Sequence, residues 1–168
     1  MTKIAVTGAT GQLGRLAIAA LKARGAAPIA LARDPAKAAD LGVEARAFDY
    51  TKPDTAALKG VDVLVLISSN DFSDRAGQHK AAIHAAKEAG VGRIVYTSIL
   101  KGDASPMILA QDHIVTEAAI EASGIPATIL RNGWYTENYT GALGAAVQHG
   151  AMIGAAGNGR VNSAARKD

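Results

Sequence analysis

The chain has 168 residues, of which 49% are hydrophobic and 20% charged, with a formal net charge of +3. This length and composition are typical of one globular domain with a substantial core. The absence of cysteine excludes disulfides, thiolate catalysis and thiolate metal sites, and it favours a cytoplasmic location. No apolar run is long enough to span a bilayer, no signal peptide is expected, and the scattered Lys and Arg residues do not indicate a nucleic-acid surface.

The first predicted elements are a short strand and a helix, joined by a glycine-rich turn. The apolar run 4–6 precedes Gly8, Gly11 and Gly14 in the spacing G-x-x-G-x-x-G, and a helix-forming run follows over 16–21. In a strand–turn–helix unit these glycines allow positive φ, close approach of a pyrophosphate, and close packing of the helix on the sheet. The start of the helix then faces the phosphates. We predict a dinucleotide phosphate site here, the alternative being an ordinary turn.

Strands and helices alternate along the next part of the chain. Further strands are predicted at 27–32, 43–48, 61–67, 93–97 and 127–130, helices at 75–89 and 110–123, and short helical segments at 35–39 and 53–58. Short crossovers between parallel strands imply an α/β fold, a Rossmann-like doubly wound parallel sheet in the order 3-2-1-4-5-6. Run 61–67 is continuous and β-branched, so we predict a strand buried on both faces.

The pattern changes after Arg131. We predict an aromatic loop over 132–139, a helix over 141–149, a glycine turn over 154–159 and a polar end that completes no element. Residues 1–131 are therefore predicted to be an NAD(P)-binding domain, and residues 132–168 the start of a substrate-binding region.

Ligands of a doubly wound sheet lie beyond the carboxyl ends of its strands, so side chains there are candidate cofactor contacts. Arg33 ends the second strand, where an arginine suits the 2′-phosphate of NADP. Asp34 could instead bind a ribose, but it better suits a helix cap before Pro35. Asp49 ends the third strand and is either an acceptor for the adenine amine or a turn residue. Thr97, at the end of the fifth strand, is a further candidate.

Aromatic residues are concentrated after the sixth strand. The chain has one Trp, four Tyr and two Phe, yet Trp134, Tyr135 and Tyr139 fall within six residues of one another. This concentration predicts a wall for a flat ligand, with Asn138 as a polar contact. The alternative is a hydrophobic plug at the domain edge. His79 and His84 are interpreted as structural or surface residues, and no metal-ligand spacing is present, so no metal site is predicted.

Four segments together resemble the NmrA-like atypical short-chain dehydrogenase/reductases, and among them the bacterial NAD(P)H:quinone oxidoreductases. They are residues 6–14, Arg33, residues 67–69, and the Arg-Asn-Gly-Trp-Tyr-x-Glu-Asn-Tyr run within 130–139. The resemblance implies NADPH as cofactor, a small quinone as hydride acceptor, and direct transfer between them. It also places the aromatic segment against the nicotinamide or the quinone. The predicted cofactor contacts are Gly8, Ala9, Thr10, Gly11, Gln12, Leu13, Gly14, Arg33, Asp49, Ile67, Ser68, Ser69 and Thr97; the predicted substrate contacts are Trp134, Tyr135, Asn138 and Tyr139.

Two departures from the family pattern qualify this expectation. The Tyr-x-x-x-Lys pair of short-chain dehydrogenases is replaced by His113 and Glu117, so alcohol dehydrogenase chemistry is not expected. His113 is a candidate catalytic proton donor, the alternative being a surface histidine paired with Glu117. Family members usually continue well beyond this length, so the substrate region is expected to be incomplete. A homo-oligomer is possible, and the rival function is an NmrA-type dinucleotide sensor that binds cofactor without turnover.

Overall fold

The structure, a computed structural model, describes residues 2–155 and 157–168, and the chain divides into two compact units, 1–131 and 132–168. The first unit contains one six-stranded sheet in the order β3-β2-β1-β4-β5-β6, as predicted. Its strands are β1 Ile4–Val6, β2 Ile29–Ala32, β3 Ala45–Ala47, β4 Val63–Leu66, β5 Arg93–Ile99 and β6 Ala127–Asn132. The four pairings among β1 to β5 are parallel, so the carboxyl ends of these strands share one edge.

Helices connect the strands. The three long ones are α1 Gln12–Ala23, α2 Arg75–Glu88 and α3 Ala110–Ser123. The connections Pro35–Leu41 and Thr55–Leu58 are 3-10 helices. Asp34 caps the first of these, because its carboxylate accepts a hydrogen bond of 3.0 Å from the Ala36 N–H. The cap interpretation of Asp34 is therefore confirmed.

Alternate residues of the strands enter two different hydrophobic clusters. Ala5 of β1 and Leu64 of β4 join the larger cluster, which includes residues of α2 and α3. Val6 joins the smaller one, with Ile18 of α1, and Val65 packs against it while only partly buried. The prediction that the fourth strand is buried on both faces is thus only half right, since Leu64 and Leu66 are buried but Val63 and Val65 only partly so.

The second unit differs from its predicted form. Residues 132–139 are not a loop: β7 Trp134–Tyr135 is followed directly by the short helix α4 Glu137–Thr140, and then by α5 Leu143–His149. The polar end of the chain contributes β8 Ser163–Ala164, which pairs in parallel with β7. Within the predicted glycine turn, residues 157 and 158 do form a turn, whereas Ala156 lies outside the described residues.

No helix in the described part of the chain combines the length and apolar character needed to cross a bilayer.

The close contact between α1 and the turn after β1 generates a stability prediction. A Cβ on Gly14 would lie 2.2 Å from the carbonyl oxygen of Gly8 and 2.7 Å from the Cα of Ala9, both backbone atoms. We expect Gly14→Ala to lower the free energy of unfolding by about 2–3 kcal/mol, because α1 must move off the sheet. Urea denaturation measures this.

The matched control is Gly144→Ala in α5, where an added Cβ meets nothing in the described chain within 4 Å. Alanine is favoured over glycine inside helices, so this variant should be as stable as the parent or slightly more stable. Equal unfolding curves for the two variants would show that the contact at Gly14 does not constrain the fold.

Candidate dinucleotide-binding site

The turn between β1 and α1 has the geometry of a phosphate-binding loop. Gly8 has a φ of +59°, and the Gly11 N–H closes the turn with a bond of 2.9 Å to the Gly8 carbonyl. Gly11 is the N-cap of α1, and it makes no side-chain capping bond because glycine has no side chain. The positive end of α1 is therefore available to an anion. A Cβ on Gly11 would lie 3.2 Å from the Gly8 carbonyl oxygen, so the turn has little room for a side chain.

Arg15 braces this turn from within α1. Its Nε donates to the Thr10 carbonyl at 3.1 Å, and its guanidinium forms an ion pair of 2.5 Å with Asp40. A third, longer bond of 3.4 Å reaches the Lys37 carbonyl. Arg15 thus connects the glycine turn to the 3-10 helix that follows Arg33, and it is a supporting residue that sequence reasoning did not assign.

Arg33 and Asp49 follow the ends of β2 and β3. Arg33 is exposed, and its guanidinium makes no hydrogen bond or ion pair with any residue the structure describes. Asp49 accepts bonds of 2.9 Å from the Thr51 N–H and hydroxyl. These bonds chiefly lower the pKa of the Asp49 carboxyl, with a smaller effect of the Arg33 charge. Asp49 is therefore an ionised turn residue, and its contact with adenine stays a prediction.

The segment 67–69, directly after β4, is held by side chains from other strands and loops. The Ile67 N–H donates to the Thr7 hydroxyl at 2.9 Å, and the Ile67 carbonyl accepts from the Tyr50 hydroxyl at 2.5 Å. The Ser68 N–H donates to the Thr97 hydroxyl at 2.8 Å. Thr97 lies within β5 instead of at its end, because β5 continues to residue 99. The Thr97 hydroxyl accepts the hydrogen bond that holds Ser68 in place. A contact between Thr97 and the cofactor stays a prediction.

Ser69 is bonded to α2. Its N–H donates to His79 Nε2 at 2.9 Å, its hydroxyl donates to the Gln78 side-chain oxygen at 2.8 Å, and its carbonyl accepts from Arg75 Nε at 2.6 Å. His79 is fully buried, and burial is the main cause that lowers its pKa to about 3. The structural interpretation of His79 is therefore confirmed, but the partners of Ser69 were not predicted.

His113 lies on α3 and is only 5% exposed. Its Nδ1 is 2.7 Å from the hydroxyl of Tyr96, and burial is the main cause that lowers its pKa. The alternative of a surface histidine paired with Glu117 is wrong: Glu117 instead accepts a bond of 2.5 Å from Ser98 and forms an ion pair of 2.7 Å with Arg131. His113 is thus a neutral, buried imidazole at neutral pH.

In the second unit, the aromatic side chains form a compact group. The rings of Trp134 and Tyr139 are 6.5 Å apart at 60°, and both are partly exposed. Arg166 lies over the Tyr135 ring, with 4.8 Å between its guanidinium carbon and the ring centroid, and donates to the Asn138 side chain at 3.0 Å. The polar end of the chain therefore organises the predicted substrate contacts, a role that sequence reasoning missed.

Within residues 2–155 and 157–168, no group of three or more His, Cys, Asp or Glu side chains could hold a metal ion.

Comparison with known proteins agrees with this geometry. A family model described as NAD(P)H-binding matches residues 8–158. Quinone oxidoreductase 2 of Escherichia coli strain K12 is 50% identical over 172 aligned positions, which cover 98% of this chain and 60% of the relative. The crystal structure of an NADPH-dependent quinone oxidoreductase from E. coli, complexed with NADPH, has a TM-score of 0.91 and 49% identity, and the match covers 98% of this chain and 60% of that chain.

A second solved structure is similar over the same span. Triphenylmethane reductase of Citrobacter sp., complexed with NADP(H), has a TM-score of 0.92 and 42% identity, covering 98% of this chain and 61% of that chain. The present chain thus spans about 60% of the length of the relatives it matches. The family match, the sheet order and the glycine turn together show that the chain belongs to the NAD(P)H-binding, NmrA-like family that its sequence resembles.

Proposed function

We propose that this chain binds NADPH and that the protein transfers a hydride directly to a quinone. The observation that carries the proposal is the 50% identity to quinone oxidoreductase 2 of E. coli over 98% of the chain. A solved relative was crystallised with NADPH, which supports the choice of cofactor. The cysteine-free composition supports a cytoplasmic location. A homo-oligomeric state stays a prediction.

The residues at the carboxyl edge of the sheet fit a phosphorylated dinucleotide. The glycine turn over 8–14 and the uncapped start of α1 suit the pyrophosphate, since backbone N–H groups and the helix dipole both favour an anion. The exposed guanidinium of Arg33 suits the 2′-phosphate. Ser68, which precedes the hydrogen-bonded Ser69, is assigned as a contact of the pyrophosphate and nicotinamide ribose of the cofactor. When bound, NADPH supplies the hydride that is transferred.

The acceptor is assigned to the aromatic group of the second unit. Trp134 is 43% exposed and Tyr139 40%, so both rings have a free area on which a flat, conjugated molecule can stack. Tyr135 and Asn138 are held by Arg166, which fixes two further contacts before an acceptor arrives. Pre-arranged side chains lower the entropic cost of binding and orientation.

We assign to His113 the role of donating the proton that the reduced acceptor must gain. The Tyr96 hydroxyl occupies its Nδ1, so Nε2 is the ring nitrogen left to exchange a proton with an acceptor. The lowered pKa makes the imidazolium form a stronger acid but a scarcer one at neutral pH. Glu117 does not take over the role of the family lysine, because its carboxylate is engaged by Arg131.

The assignment of Arg33 is tested by Arg33→Ala. Loss of a charge-assisted contact with the 2′-phosphate should weaken NADPH binding about tenfold to a hundredfold and leave NADH binding almost unchanged. Fluorescence titration of both dinucleotides measures this. Arg24→Ala is the matched control, since Arg24 is an exposed arginine at the opposite end of α1. An equal loss for NADPH and NADH would defeat the assignment.

The assignment of His113 is tested by His113→Gln in steady-state oxidation of NADPH by a small benzoquinone. The glutamine amide can donate a hydrogen bond but not a proton, so kcat should fall about a hundredfold, with the KM for NADPH unchanged. In the parent, kcat should decrease as pH rises through the lowered pKa, and this dependence should disappear in the variant. An unchanged rate and pH profile would remove His113 from the mechanism.

A further inference from the structure

Three side chains of α2 bond the three polar groups of one residue, Ser69. Arg75, Gln78 and His79 are spaced i, i+3 and i+4, which places them on one face of the helix. They contact the carbonyl, the hydroxyl and the N–H of Ser69, respectively, at 2.6, 2.8 and 2.9 Å. All three are at least nine-tenths buried. Ser69 therefore cannot rotate without breaking bonds to three buried side chains.

The residue before Ser69 is fixed as a consequence. The Ser68 N–H is bonded to Thr97, whereas the Ser68 hydroxyl has no hydrogen-bond partner among the described residues. The same segment borders the glycine turn, since a Cβ on Gly8 would lie 3.9 Å from the Cβ of Ile67. The backbone of Ser68 is thus held in place beside the glycine turn, and its hydroxyl is a polar group left available to a ligand.

His79 is the member of this group whose orientation is set by a second helix. Its Nδ1 lies 2.9 Å from the hydroxyl of Thr116 on α3, and that hydroxyl donates to the Asp112 carbonyl at 2.7 Å. Because Nε2 accepts the Ser69 N–H, the proton of the neutral ring is on Nδ1 and is donated to Thr116. The ring therefore links α3 to the segment after β4, and its acceptor atom points in a single direction.

We propose that His79 is a positioning residue for NADPH: with Arg75 and Gln78, it fixes Ser69 so that the Ser68 hydroxyl is presented to the bound dinucleotide. This inference rests on the proposed function, because it assumes that the dinucleotide is bound at the glycine turn. The positioning depends on one atom, His79 Nε2, which accepts the hydrogen bond from the Ser69 N–H. NADPH binding should therefore require a hydrogen-bond acceptor at this position and not the shape of the imidazole ring.

The test compares His79→Leu with His79→Gln, whose side-chain oxygen can accept the Ser69 N–H. His84→Leu is the matched control, since His84 is on the same helix with a largely exposed side chain. The first readout is the Kd for NADPH in a fluorescence titration. We expect His79→Leu to raise it about tenfold, the scale of one buried hydrogen bond left unmade, and His79→Gln and His84→Leu to raise it less than about threefold.

Two further readouts separate positioning from a general loss of stability. Amide hydrogen exchange at Ser69 should accelerate in His79→Leu and stay slow in His79→Gln. The ratio of the Kd values for NADPH and NADH should not change, because the 2′-phosphate is assigned to Arg33. If His79→Leu does not fold, Gln78→Ala replaces it. This variant removes only the hydroxyl partner of Ser69 and should weaken NADPH binding about fivefold, clearly more than the control His84→Leu.

The outcomes are distinguishable. An unchanged Kd in folded His79→Leu, or in Gln78→Ala when that variant replaces it, overturns the positioning role. A loss of NADPH affinity in His79→Gln as large as in His79→Leu overturns the positioning role as well, because the shape of the imidazole ring would then be what matters. If the parent chain itself binds no NADPH in the same titration, the proposed function fails, and this inference fails with it.

Discussion

Helix α1 packs so closely on the turn after β1 that only glycine fits at position 14, and this contact sets the position of the helix start proposed to bind an anion. A Cβ at residue 14 would lie 2.2 Å from the Gly8 carbonyl oxygen, so the first turn of α1 packs directly on the backbone of the glycine turn. Because the N-cap of α1 is Gly11, which has no side chain to cap the helix, the positive end of the helix dipole suits an anion. The rest of the site consists of groups arranged around this helix start, at the shared carboxyl edge of the parallel strands.

The surroundings of the phosphate loop are rigid for a different reason. The segment 67–69 is irregular backbone, yet its N–H groups and two of its carbonyls are bonded to side chains from β5, α2, the turn after β1 and the loop after β3. Each bond is modest in net stability, but breaking one leaves a buried donor or acceptor unsatisfied. The site is thus arranged before the dinucleotide arrives, which lowers the ordering cost of binding.

The local features of the fold were predictable from the sequence, and the long-range side-chain contacts were not. The glycine spacing, the alternation of strands and helices, and the Asp34-Pro35 cap are patterns within a few residues. They predicted the strand order, the glycine turn and the cap correctly, and phosphate binding at the turn stays a prediction. His79 was interpreted as structural, but its partner Ser69 could not be identified, because α2 reaches that residue only in the folded chain. Similarly, Arg166 and Asn138 are 28 positions apart, so no local pattern links them.

The measurement that tests the central claim most directly is the oxidation of NADPH by a small benzoquinone in the presence of this chain, followed by absorbance, with NADH assayed in parallel. We expect oxidation above the rate without protein, one quinone reduced per NADPH consumed, and a higher kcat/KM with NADPH than with NADH. NADPH binding without any oxidation above the uncatalysed rate would contradict it, and would favour a dinucleotide sensor.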